Sequence, residues 1–145
     1  MLSAVLDSTV LVSAFLRPGG VADLVLTQGY ERRYGLFLAE EILAETRRVL
    51  LETTRIRRRY IYPDASVDRF VRGLRGIAIL TGPLPSRTGM VERDPNDDMI
   101  VACALAAPAD YVVTRDDDLL SLNVYESIAM ITPEAFMTVL RRETT

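Results

Sequence analysis

Ser3-Ala4-Val5-Leu6-Asp7-Ser8-Thr9-Val10-Leu11-Val12-Ser13-Ala14-Phe15-Leu16 is the stretch from which the fold follows. Residues 3–6 read as a short buried strand that ends at Asp7, and Thr9 to Leu16 read as a helix, stopped by Pro18-Gly19-Gly20. The same alternation continues. Val21 to Gln28 reads as a helix and Tyr34 to Leu38 as a strand. Glu40 to Leu51 carries Ile42, Leu43, Val49 and Leu50 at helical spacing, and Ser66 to Arg75 repeats the pattern through Val67, Phe70, Val71 and Leu74. Ile77 to Leu80 reads as another buried strand, followed by the loop Gly82-Pro83-Leu84-Pro85. Pro95-Asn96-Asp97 opens an apolar helix reaching Ala107, Tyr111 to Val113 is a strand, and Asp116-Asp117-Asp118 starts a short helix. Ile128 to Ile131 gives the last strand, and Thr132-Pro133 caps a C-terminal helix. Strands alternating with helices imply an α/β fold with a central, mostly parallel sheet covered by helices on both faces. No repeat or linker interrupts residues 1–145, so one domain is expected.

The residues that are absent narrow the chemistry. Among 145 residues there is no histidine, and every one of the 17 basic residues is an arginine. Imidazole bases and ligands, Schiff-base lysines and the P-loop lysine are therefore excluded. A hydrophobic share of 49% with 26% charged residues fits a soluble globular chain. The longest apolar run, Met99 to Ala109, is too short to span a bilayer and contains Pro108. Asp7 interrupts the first apolar residues and no basic segment precedes them, so no signal peptide is expected. The single cysteine, Cys103, excludes an internal disulfide and makes a cytoplasmic location the expectation; within its apolar stretch it reads as core filler. Charge is uneven. Arg47, Arg48, Arg55, Arg57, Arg58 and Arg59 face only Glu52 in residues 47–59, whereas residues 92–118 are strongly acidic. Such poles suit a polyanion held near bound cations, or are two solvated faces.

Ligands of open parallel sheets gather at the carboxyl ends of strands. Asp7 lies just past one expected strand and Asp116 three residues past Val113, while Asp97 begins the helix leading into that second strand. Glu45, and beside it Glu41, lie on the helix after the strand Tyr34 to Leu38. If the sheet brings these acids together, mutual repulsion calls for a hard divalent cation with oxygen ligands, Mg²⁺ or Mn²⁺. The reaction such a site serves best is attack of activated water on a phosphodiester. The three aspartates also stand at helix starts, where Asp is a preferred cap, and Arg48 is placed to pair with Glu45.

The chain resembles the PIN-domain family over nearly its whole length, from about residue 2 to residue 140, and four blocks carry the resemblance. Val5 to Phe15, with Asp7-Ser8-Thr9, resembles its opening, Leu38-Ala39-Glu40-Glu41-Ile42-Leu43-Ala44-Glu45 its second block, Asp94-Pro95-Asn96-Asp97-Asp98-Met99-Ile100-Val101-Ala102 its third, and Ala109 to Leu120, with Thr114-Arg115-Asp116-Asp117-Asp118, its fourth. The resemblance implies a PIN-like three-layer fold and cleavage of single-stranded RNA. It also implies Asp7, Glu45, Asp97 and Asp116 as the catalytic acids holding one or two Mg²⁺ or Mn²⁺ ions, with Asp118 as a further metal ligand. Ser8, Thr114 and Glu41 would support them, and Arg47, Arg48, Arg57, Arg58 and Arg59 would guide RNA. Many compact members are VapC-like toxins, often dimeric and inhibited by a small antitoxin; no membrane partner is expected. In one departure, Thr9 stands where the family's commonest opening has Asn. A non-catalytic PIN-fold module binding RNA or protein is the alternative. A receiver domain would want a late lysine, and a haloacid-dehalogenase phosphatase an Asp at position 9; neither is present.

Overall fold

The structure, a computed structural model, describes residues 1–84 and 95–143. Pro85 of the expected loop and Glu92 to Asp94 of the acidic stretch lie outside the described residues. The chain runs β1 (Ser3–Leu6), α1 (Ser8–Leu16), α2 (Val21–Tyr30), β2 (Gly35–Leu38), α3 (Glu40–Glu52), α4 (Thr54–Arg59), α5 (Asp64–Ile77), β3 (Ile79–Leu80), α6 (Pro95–Ala106), β4 (Tyr111–Val113), α7 (Asp117–Leu120), β5 (Val124–Tyr125), β6 (Ile128–Ile131), α8 (Pro133–Glu143). The strands form one sheet in the order β3-β2-β1-β4-β6-β5, parallel throughout except for β5 against β6. This is the mostly parallel, helix-flanked α/β sheet expected from the alternation.

Ala4, Val5 and Leu6 of β1 and Val112 and Val113 of β4 are all fully buried, as central strands covered on both faces must be. Ile42, Leu43 and Leu50 of α3 are buried with Ile100, Val101, Cys103 and Ala104 of α6. Cys103 is the core filler its apolar neighbours imply; burial pushes its thiol pKa up to about 11. Among the described residues no single helix is long and apolar enough to cross a membrane.

Three elements differ from the sequence expectation. Ile77 ends α5 rather than opening a strand, and the strand that follows is an exposed edge, with Ile79 54% accessible. Helix α4 buries no residue, so hydrophobic spacing could not announce it. Arg57 anchors its end instead, donating to the Tyr62 carbonyl at 3.2 Å and the Asp64 carboxylate at 2.9 Å while stacking over the Tyr62 ring. The third is β5, a two-residue edge joined to β6 through Glu126 and Ser127, both at positive φ (50° and 70°), the signature of a tight type I′ hairpin.

Candidate functional site

From β1 the chain builds outward to β2 and β3 on one side, and later to β4 and β6 on the other. The crevice beyond the carboxyl ends of β1 and β4 is thus the switch point of the sheet, where α/β folds collect ligands. Leu6 lies level with Val113, so Asp7 and Thr114 emerge side by side, and the Asp7 N–H donates to the Val113 carbonyl at 3.0 Å. Two hydroxyls then fix one oxygen of Asp7. Thr114 donates to Oδ2 at 2.7 Å and Thr9 donates to the same atom at 2.8 Å. Each hydroxyl is itself held: Thr114 Oγ1 accepts from the Asp116 N–H at 2.9 Å, and Thr9 Oγ1 from the Arg115 N–H at 3.4 Å. Ser8 adds a long contact of 3.4 Å to Oδ1. Thr9, which stands where an amide is usual, therefore still orients the first acid.

Helix cap and ligand separate residue by residue. Asp7 occupies the N-cap position of α1 but makes no side-chain capping bond. Asp116 does cap α7, its Oδ1 accepting from the Asp118 N–H at 2.8 Å and the Leu119 N–H at 3.2 Å. Asp97 sits in the first turn of α6, three and four residues before the buried Ile100 and Val101, which places it on the inward face of that helix. Carboxylate oxygens of Asp97, Asp116 and Asp118 lie within 4.8 Å of one another.

Asp7, Ser8, Thr9, Glu45, Asp97 and Asp116, with Val12 and Val49, line one cavity of about 320 Å³. Asp7 is 3% exposed, and burial first, then the charge of Asp116, raises its pKa; the Thr114 and Thr9 hydroxyls oppose this without cancelling it. Burial and the neighbouring Asp116 charge thus both disfavour the ionised Asp7, and a cation bound beside it would favour that form. The donor set is carboxylate oxygen alone and fits a hard divalent cation: Asp97, Asp116 and Asp118 would hold it, with Asp7 beside them.

Glu45 reaches the cavity wall, but Arg48 grips its carboxylate. Glu41 does not line the cavity; its Oε2 accepts from the Leu84 N–H at 3.4 Å. Of the arginines proposed for RNA, Arg47 pairs with Asp68 at 2.9 Å and Arg57 with Asp64 at 2.9 Å. Arg58 and Arg59 are exposed on α4, Arg59 lying over the Tyr60 ring at 5.6 Å. The sequence pattern singles out neither Thr9 as a positioning group nor Asp98, which is buried in the first turn of α6. Asp98 directly follows Asp97, and an acid adjoining a candidate ligand was the one available signal.

Residues 3–118 match the family model of the PIN domain. Solved structures similar in fold include two that cover most of the chain. PAE2754 from Pyrobaculum aerophilum superposes with a TM-score of 0.61 at 15% identity, covering 97% of this chain and 90% of that one. VapBC2 from Rickettsia felis, bound to a DNA fragment from their promoter, gives 0.59 at 11% identity over 89% and 97%. No curated protein sequence matches. Identities so low speak for the fold alone, but the family match runs through all four acidic blocks: the chain belongs to the PIN domain family.

Proposed function

We propose that the chain is a Mg²⁺- or Mn²⁺-dependent endoribonuclease acting on single-stranded RNA, and that it is the toxin of a toxin–antitoxin pair. One observation carries the proposal: three carboxylates with oxygens within 4.8 Å of one another at the switch point of the sheet, beside an Asp7 whose pKa is raised. Family membership supports hydrolysis of nucleic acid, since PIN domains are generally nucleases. The fold the chain shares with VapBC2 is in keeping with a toxin–antitoxin role.

Asp97, Asp116 and Asp118 would hold the cation, with Asp7 completing their negative field. Thr9 and Thr114 keep the Asp7 carboxylate in one orientation, so no reorganisation is needed when substrate arrives. Val12 and Val49 give the cavity an apolar wall beside its acids. When bound, a divalent cation supplies Lewis acidity, activating water at neutral pH and stabilising charge on the phosphate. Exposed arginines of α4 meet the RNA backbone.

The test is cleavage of single-stranded RNA with Mg²⁺ or Mn²⁺, with EDTA, and with Asp97→Asn. Cleavage should stop in EDTA, and the variant should lose at least ~100-fold of activity, because metal-based stabilisation is worth several kcal/mol. Full cleavage in EDTA would refute the mechanism. RNA binding without cleavage under any metal would instead identify a non-catalytic module.

A further inference from the structure

On the cavity wall, both oxygens of Glu45 are already occupied. Arg48 donates from Nη2 to Oε1 at 2.7 Å and from Nε to Oε2 at 3.1 Å, a two-pronged grip between residues three apart on α3. The two partners are not equally confined. The Glu45 side chain is 15% exposed and lines the cavity, whereas that of Arg48 is 53% exposed. A guanidinium does not lose its proton in a protein, so Arg48 keeps its charge, and this half-exposed pair opens either into water or by passing Glu45 to another cation. The adjacent arginine offers a contrast within the same helix turn, because Arg47 turns to Asp68 on α5.

We infer that Arg48 is an internal counter-ion of the cavity, which competes with a divalent cation for Glu45 and is displaced when Glu45 joins Asp97, Asp116 and Asp118 around that cation. The inference rests on the metal reading of the cavity proposed above. It makes Glu45 a conditional ligand and sets the cation affinity below that of a bare four-acid site. It also leaves a half-exposed guanidinium beside the cavity once the exchange has occurred, available to a phosphate oxygen.

The experiment titrates Mn²⁺ alone, by calorimetry and without RNA, into the parent, Arg48→Ala, Arg47→Ala, Glu45→Gln, the double variant Glu45→Gln with Arg48→Ala, and Asp97→Asn. Arg48→Ala should bind Mn²⁺ roughly 5-fold tighter than the parent, the scale on which one partly exposed ion pair competes. Arg47→Ala removes the same charge from the neighbouring residue and should change affinity by less than about 2-fold, since solvent and salt screen it. In the Glu45→Gln background, losing Arg48 should change nothing, because the contested carboxylate is gone. The inference is overturned if Arg48→Ala binds no tighter than Arg47→Ala, or if its gain persists without Glu45. Should Asp97→Asn lose Mn²⁺ while Arg48→Ala gains none, the metal reading stands and the competition alone is refuted. If neither the parent nor Arg48→Ala takes up Mn²⁺, the metal reading fails and the competition falls with it.

Discussion

Replacing Asp7 with Asn removes a buried charge while keeping a similar shape, and the surrounding bonds let its effect be worked out. The amide oxygen can accept from the Thr9 and Thr114 hydroxyls as Oδ2 does now, at 2.8 and 2.7 Å. A bond to a charged acceptor is worth about 1.5–3 kcal/mol against about 0.5–1.5 for a neutral one, so the two hydroxyls together lose roughly 2 kcal/mol. Against this stands the cost of burying an ion, which remains several kcal/mol after relaxation. The raised pKa of Asp7 decides which is larger: burial and Asp116 outweigh the hydroxyls. In EDTA at pH 7 the variant should therefore be more stable by on the order of 1 kcal/mol, and melt about 3 °C higher. Asp7 binds its proton more tightly in the folded chain than at its ordinary value of 3.8. Its contribution to stability thus falls as pH rises from 3.8 through the raised folded value, and the penalty is complete above it. The advantage of the variant should accordingly be widest at neutral pH and narrow toward acid. Mg²⁺ should raise the parent's melting point more than the variant's, through preferential binding to the folded state. Urea melts from acid to neutral pH, in EDTA and in Mg²⁺, together with thermal melts under the same conditions, measure all of this. An Asp7→Asn protein that melts lower in EDTA at pH 7, or whose advantage does not depend on pH, would refute the reasoning.

Glu126 and Ser127 hold positive φ in the β5–β6 turn, where Asn and Gly are far better suited; Glu126→Asn with Ser127→Gly should stabilise by about 1 kcal/mol, read as a higher urea midpoint at unchanged slope. Arg55, Arg58 and Arg59 project from α4 with exposed side chains, so their joint replacement by Ala should weaken RNA binding and lower its salt slope by about 0.7 for each phosphate no longer neutralised. Arg57→Ala should instead loosen α4 itself, because Arg57 ties that helix to Tyr62 and Asp64; an unchanged melting point would disprove the anchor. Cys103, with its thiol pKa pushed up to about 11, should resist disulfide reagents at pH 8 until denaturant is added. Rapid native labelling would contradict its burial.

Elements that bury a face were legible in the sequence, and those that do not were hidden. The apolar, buried Ala4-Val5-Leu6 of β1 and Val112-Val113 of β4 and the spaced Ile42, Leu43 and Leu50 of α3 announce themselves because desolvation shapes their residue choice. Helix α4 depends on one arginine bridging to Tyr62 and Asp64, an arrangement with no periodicity to read. Ile77 and Ile79 are apolar residues two apart, yet one closes a helix and the other opens an exposed edge; composition cannot divide them. At the site, the aspartates could be picked by their places after strands. Which of their oxygens are occupied could not. The i,i+3 spacing shows that Arg48 can reach Glu45, but only the fold shows that Glu45 stands on the cavity wall when it does so.

Cap and ligand, competing roles for the aspartates when only the sequence is read, are divided between residues and even between atoms. Asp116 spends Oδ1 on the N–H groups of Asp118 and Leu119, so the bonds that start α7 also fix where Asp118 stands in the acid group. The Asp116 N–H is bonded to Thr114 Oγ1, and Thr114 donates in turn to Asp7, so one hydroxyl couples the Asp7 carboxylate to the residue that caps α7. The bonds from the Asp7 N–H to Val113 and from the Arg115 N–H to Thr9 also tie the two strand ends. That linkage accounts for how a stable fold tolerates four acids at one switch point. The backbone donors of α7 and two threonine hydroxyls disperse part of the negative charge, and the fully buried strands beneath hold the carboxylates in place against their repulsion. Burial first, and the charge of Asp116 with it, still raise the pKa of Asp7 in spite of those donors, and a cation at the switch point would favour the ionised carboxylate against both.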